Sequence, residues 1–394
     1  MWGWLKAATE RATWGSTLRI LLKGGLLFAL ANLIFALLDP LPLIGQVSLY
    51  NGVLRGRPRL PYGENPAQSY NLSLQNLEAL FAAHEIHGTP KTPDEFRVLV
   101  VGDSAVWGVL LAPHETLSGY LNGLRLQMPD GRRLRAFNIG YPVQSAAKDL
   151  LLLDYAMRYQ PDLIVWLITP ESLALDVQMA TQLVRENPER VRALITRHAL
   201  SSLRADDSRF IAPDFFGRTI IGRRRQLADW LRLQAYGIQW QISAVDQQYP
   251  RFYEPRMEDF PADLPQTWRG NAPPALSADQ LALDVLEAGA QLAMAAAIPL
   301  LIINEPVFIS VGENSDQRYN FFYPRWALDE ARARLREASA GAVWAYRDFW
   351  NAIPASQFTD SAVHLTPQGS RQLAELVARA IIESAAETNA RSVP

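Results

Sequence analysis

Three residues of this chain have the types needed for nucleophilic catalysis: Ser104, Asp360 and His364. Ser104 ends the run Arg97-Val98-Leu99-Val100-Val101-Gly102-Asp103-Ser104, where apolar residues give way to Gly-Asp-Ser. A serine hydroxyl is a poor nucleophile until a base stands within hydrogen-bond reach. Among five histidines, His364 is the best candidate, in a loop before the last helix, with Asp360 four residues upstream. A carboxylate on one imidazole nitrogen leaves the other free to take the serine proton. The resulting chemistry is acyl transfer through an acyl-serine. A serine in the first turn after a strand also lies where backbone N–H groups can stabilise an oxyanion. The bland reading is a helix-capping Ser104 and a surface-loop His364. Gly-Asp-Ser alone arises by chance in roughly one chain of this length in ten. Three role-matched residues in suitable places favour catalysis.

These residues need elements to hold them. Five largely apolar runs read as buried strands: 98–101, 134–137, 163–168, 300–303 and 343–346. Helical patterns lie between them at 145–159 and 278–297, and a last helix covers 366–383, with Thr366 as N-cap and Pro367 at its first position. Alternating strands and helices predict a parallel sheet covered on both faces. Ligands bind such sheets beyond the carboxyl ends of the strands. Ser104, Thr169 and Asn304 all fall just past a strand end. A long insertion, about 172–276, separates the third and fourth strands and is rich in Arg, aromatics and proline. Within it, 223–236 patterns as an amphipathic helix. It reads as packing on the main domain, or as a lid, a partner surface or a membrane contact.

Upstream, residues 20–38 are mostly apolar, and nineteen helical residues span roughly 28 Å, close to a bilayer core. The expectation is an uncleaved anchor over 20–44, behind a cytoplasmic segment 1–19. Lys6, Arg11, Arg19 and Lys23 favour that orientation, while Arg55, Arg57 and Arg59 weaken it. Residues 45–95 read as a connection with a helix over 72–84, and 386–394 as a tail. The 394 residues carry a net charge of −2, which gives no basic field for nucleic acid. The absence of cysteine excludes disulfides, thiol catalysis and zinc-thiolate sites. His84-Glu85-Ile86-His87 lacks the His-Glu-x-x-His spacing of zinc proteases and reads as surface histidines at a helix end.

On these residues the chain resembles the SGNH/GDSL hydrolase family over roughly 95–385. Gly102-Asp103-Ser104 matches the first block and its nucleophile. Asn138-Ile139-Gly140-Tyr141-Pro142-Val143 is similar to the second, Asn-x-Gly-x-x-Gly. Asp360 and His364, followed by Leu-Thr-Pro-x-Gly, resemble the last. The resemblance implies a flavodoxin-like three-layer α/β/α sandwich and ester chemistry without a metal or other cofactor. It has three departures. Val143 replaces the glycine that donates an oxyanion-hole N–H. The third block's asparagine is absent from Leu167-Ile168-Thr169-Pro170-Glu171, leaving Thr169 as a substitute donor. The acid stands four residues before the histidine instead of three. Gly140, Asn304 and Arg325 are candidates for substrate contact, the last in the aromatic- and Arg-rich stretch 318–326, which suits either a glycan site or ordinary packing. The expected function is a membrane-anchored serine esterase or O-acyltransferase acting on extracytoplasmic glycans or lipids. The alternative is a catalytically weakened binding or scaffold protein of the cell envelope, with a partner protein met through the insertion.

Overall fold

The computed structural model describes residues 14–392, apart from 50, 52, 55, 64–72, 211–212 and 244–252. Lys6, Arg11, Arg55, Leu72 and most of the segment 1–19 lie outside the described residues, as does the end of the tail. In chain order the helices before the sheet are α1 (Trp14–Leu38), α2 (Leu41–Ile44) and α3 (Leu77–Ala82). Then follow β1 (Glu95–Val101), α4 (Ser104–Trp107), α5 (Leu117–Gly123), β2 (Arg133–Asn138), α6 (Ala146–Ala156) and β3 (Leu163–Ile168). The insertion carries α7 (Pro170–Leu173), α8 (Gln182–Glu186), α9 (Pro188–His198) and α10 (Arg224–Ser243). The chain returns through α11 (Leu283–Ala295), β4 (Leu300–Asn304), α12 (Arg325–Ser339), β5 (Ala345–Asp348) and α13 (Pro367–Ser392).

The strands form one parallel sheet in the order β2-β1-β3-β4-β5, the flavodoxin-like arrangement. Strand periodicity divides β1 between two cores. Leu99 and Val101 join Leu150, Leu153 and Leu286 under α6 and α11, while Val98 and Val100 join Leu121, Leu373 and Val377 under α5 and α13. Helices thus cover both faces, and each fully buried aliphatic side chain contributes about 1.5–3 kcal/mol.

Three local readings shift. The fifth strand begins at Ala345 instead of Val343, which is exposed after a turn at Gly341. The helix expected over 72–84 is the short α3, capped by the Asn76 Oδ1 that accepts the Ala79 N–H at 3.0 Å. His84 is buried, with Nε2 3.2 Å from the Pro58 carbonyl, so it is no surface histidine. Leu60, Leu74, Leu77, Phe81 and Ile86 belong to the α6-side core, so much of the connecting stretch packs as part of the domain. Arg57 and Arg59 are buried with it.

α1 is long and apolar enough to cross a membrane. Its 25 residues reach about 37 Å, and only Asn32 and Ala36 are buried.

Candidate active site

The turn after β1 is built around close backbone approach. Gly102 has φ +157°, and a Cβ there would lie 2.6 Å from the Val106 Cγ2. Asp103 caps α4: its Oδ1 accepts the Ala105 N–H at 2.8 Å. Ser104 is therefore the first helical residue, half-exposed, and its N–H has no acceptor among the described residues, as expected in a first turn. α4 ends at once on Gly108, at φ +90°. Arg59 holds this ending by donating to the Gly108 and Leu111 carbonyls, each at 3.0 Å, and stacks on Trp107.

The loop before α13 brings His364 to Ser104. The His364 Nδ1 lies 2.9 Å from the Asp360 Oδ1, and its Nε2 lies 2.9 Å from the Ser104 Oγ. With the proton on Nδ1, the imidazole donates to the carboxylate and accepts from the serine. The four-residue spacing fits because the loop closes on itself. Phe358 bridges Leu365, and the Thr359 N–H donates to the His364 carbonyl at 2.9 Å. Burial works against ionising Asp360. The His364 hydrogen bond and charge, with the Thr359 hydroxyl, outweigh it and hold the carboxyl below the usual range. Arg256, from the insertion, clamps the loop by donating to the Phe358 carbonyl at 2.7 Å and the Ala355 carbonyl at 3.0 Å. No motif marked Arg256 in the sequence.

The loop after β2 completes the surroundings. Tyr141 N–H donates to the Gly102 carbonyl at 3.0 Å, tying this loop to the turn that carries Ser104. Gly140 is packed inward: a Cβ there would lie 2.6 Å from the Trp107 nitrogen, and its own N–H donates to the Asn138 Oδ1. The residue therefore positions α4 and offers no free donor to a substrate. Val143 adopts φ +72°, the left-handed region that a β-branched residue rarely enters. Holding it there costs about 1–3 kcal/mol. The loop thus keeps a glycine-like conformation despite the valine, and the Val143 N–H has no acceptor among the described residues.

Thr169 is fully buried. Its Oγ1 caps α7, 3.3 Å from the Ser172 nitrogen, and also accepts from the Gln144 Nε2 at 3.3 Å. A hydroxyl so occupied is not turned to solvent. β1 pairs with β3 up to Val101↔Trp166, so the turn that carries Ser104 and the turn that carries Thr169 leave the same sheet edge. Gln144 brings a half-buried side-chain amide to the end of β3. Its position directly after the second block was the only signal in the sequence.

The other candidates serve the scaffold. Asn304 is buried, and its Nδ2 donates to the Asp348 Oδ1 at 2.8 Å, joining β4 to β5. Arg325 donates to the Ser315 carbonyl at 2.7 Å and stacks on Tyr319, both in the loop just before α12. Neither contact reaches the Ser104–His364 pair. In the same stretch Tyr323 is fully buried and Arg318 caps three carbonyls, which is packing.

Beneath the site lies a charged cluster. Lys148 is fully buried, donates to the Gly102 carbonyl at 3.0 Å and pairs with Asp149 at 2.7 Å. Burial pushes Asp149 up to about 6 despite that pair. Burial, with Asp103 and Asp149 nearby, pushes Glu305 well above the usual carboxylate range. Beside Val143 opens a groove of about 430 Å³, whose walls include Tyr62, Gln75, Gln182, Arg185 and Arg232. No group of three or more potential metal ligands gathers among the described residues.

No protein-family profile matches the chain, and no curated protein matches it in sequence. Among solved structures, a carbohydrate acetylesterase family member from Sinorhizobium meliloti is similar at 10% identity, with a TM-score of 0.32, over 74% of this chain and 99% of that one. A likeness this distant carries no argument about the site, which rests on its own geometry.

Proposed function

We propose that this chain is a serine esterase or O-acyltransferase working through an acyl-serine. The observation that carries the reading is the Asp360–His364–Ser104 relay of two 2.9 Å contacts, at the carboxyl edge of a parallel sheet. His364 takes the Ser104 proton as Oγ attacks the ester carbonyl. The tetrahedral oxyanion is met by the N–H groups of Ser104 and Val143 and by the Gln144 amide. Collapse breaks the ester C–O bond, and His364 returns the proton to the leaving alcohol. Water, or an acceptor hydroxyl, then attacks the acyl-serine, with His364 as base again. Water gives hydrolysis; a glycan hydroxyl gives O-acyl transfer.

The apolar α1 supports a single-pass anchor, and Lys6, Arg11, Arg19 and Lys23 at its start favour a cytoplasmic N-terminus with the α/β domain on the extracytoplasmic side. That placement favours O-acyl groups of envelope glycans or lipids as substrates. The polar groove beside Val143, with Arg185 and Arg232 in its wall, suits a hydroxyl-rich chain.

A second reading, an envelope binding or scaffold protein on the same fold, is favoured by one observation. The end of β3 offers no asparagine, and Thr169 is buried. A fluorophosphonate probe separates the two. The expected outcome is labelling of the folded wild type and none of Ser104→Ala or His364→Ala. A folded wild type that stays unlabelled overturns the enzyme reading in favour of the second.

A further inference from the structure

The insertion helix α10 has one face with a partner and one without. Asp229, Leu233 and Gly237 face the domain: Leu233 is fully buried, and the Asp229 Oδ2 accepts the Gln75 and Asn76 N–H groups at 2.8 and 3.0 Å. Half a turn away, Leu231, Ala235, Ile238 and Ile242 follow an i, i+4, i+7, i+11 spacing and are all exposed. Leu231 is 59% and Ile242 81% exposed. Asp229, the one acidic residue of α10, points inward, whereas Arg224, Arg225 and Arg232 lie outside.

The segment that leads into α10 meets the apolar helix at the start of the chain. Asn32 sits six residues before the end of α1, about 9 Å inside it. Its Oδ1 accepts the Ile221 N–H at 3.3 Å, and its Nδ2 donates to the Phe28 carbonyl at 2.9 Å. A polar side chain inside an apolar helix is thereby satisfied by the segment leading into α10. That segment exposes Phe216 at 76%, with Phe215 and Ile221 beside it. Further along, the Trp230 Nε1 and Gln234 Nε2 both donate to the Val47 carbonyl, at 3.2 and 2.7 Å. The chain just beyond α1 therefore runs against α10.

We propose that α10 and the preceding 215–221 segment form a second membrane contact, with the 231–235–238–242 stripe lying in the lipid interface beside α1. The inference rests on reading α1 as a membrane span. Apolar side chains on one face and arginines at the edges match a helix that lies in the plane of an anionic bilayer. The contact fixes the orientation of the domain. The groove beside Val143, which Arg232 of α10 helps to line, then opens close to the lipid surface. Membrane-proximal acyl acceptors and donors are its natural substrates.

The chain has no cysteine, so single-cysteine probes report without competition. Full-length Leu27→Cys, Ile238→Cys, Ile242→Cys and Arg379→Cys would each be labelled with an environment-sensitive fluorophore. They would then be reconstituted into phosphatidylethanolamine and phosphatidylglycerol vesicles containing brominated acyl chains. Leu27 is in the middle of α1, and Arg379 is exposed on α13, across the sheet from α10. The expected result is a roughly twofold or greater loss of emission at 238 and 242, stronger with bromine near the headgroup than deep in the chain, and no loss at 379. Quenching at 27 with none at 238 and 242 would overturn the proposal and leave the anchor standing. Labels at 238 and 242 shielded from both lipid bromine and aqueous iodide would assign the stripe to a second protein surface and overturn it too. An unquenched label at 27 would remove the anchor reading, and the proposal with it.

Discussion

In the proposed reaction an acyl oxygen developing charge at Ser104 would need hydrogen-bond donors, and the backbone offers two candidates. The N–H groups of Ser104 and Val143 have no other acceptor among the described residues. The third candidate is the Gln144 amide, held 3.3 Å from the Thr169 Oγ1. Truncation by Gln144→Ala is expected to lower kcat on an aryl acetate about 100-fold with KM little changed, because the donor acts on the transition state. An unchanged kcat would take Gln144 out of the oxyanion environment. Asp360 carries a pH signature as well. Its carboxyl is held below the usual range in the fold, so its contact stabilises the protein above about pH 4 and is lost as acid protonates it. In Asp360→Asn, denaturation between pH 6 and about pH 3 should follow a flatter acid limb. The same change should cut turnover by about 10³–10⁴-fold at pH 7, since an amide no longer selects the productive imidazole tautomer.

Two short elements decide whether those residues meet. α4 has only four residues and no core of its own. Its position comes from the Asp103 cap, from Asn138, whose Nδ2 donates to the Val106 carbonyl at 2.8 Å, and from the bare face of Gly140. A methyl at Gly140 would meet backbone, which cannot swing away as a flexible side chain can. Gly140→Ala is expected to destabilise the fold by about 1–3 kcal/mol and to move Ser104 off the His364 Nε2. Urea denaturation in detergent and fluorophosphonate labelling rate should fall together. A stable variant labelled at the wild-type rate would show that the loop has room. The histidine loop depends equally on a distant element, because Arg256 reaches it from the insertion. The insertion therefore acts on the site as well as on its surroundings.

At the scale of the whole molecule, a group of ionisable side chains is buried together under the turn that carries Ser104. Lys148, Asp149 and Glu305 lie below the nucleophile turn, with one cation for two acids before Asp103 is added. Paired or not, such groups carry a desolvation penalty of several kcal/mol each. Raised carboxyl groups bind protons more tightly in the fold than in the unfolded chain. For Asp149 this sign means that stability falls as pH climbs from about 4 towards about 6, opposite to the effect of Asp360. Glu305, raised by burial, acts in the same direction. The urea midpoint of the wild type is expected to be lower at pH 8 than at pH 5, and Glu305→Gln should narrow that gap. An equal gap in the variant would mean that Glu305 does not titrate across this range.

The one-dimensional pattern was enough to predict the parallel sheet, the serine at the first strand end, the histidine before the last helix and the apolar helix near the start. Burial on both faces leaves continuous apolar strands, and helix caps and prolines are local signals. Tertiary structure alone decided the rest. Asn304 and Arg325 follow the right elements, yet their side chains turn to β5 and to a neighbouring loop. His84 reads as a surface histidine until the chain after α2 folds into the core. Gln144 and Arg256 gain their places only when loops far apart in sequence close over one sheet edge. Val143 is the sharpest case. A valine cannot announce a left-handed backbone, because contacts elsewhere in the fold hold it against its own preference.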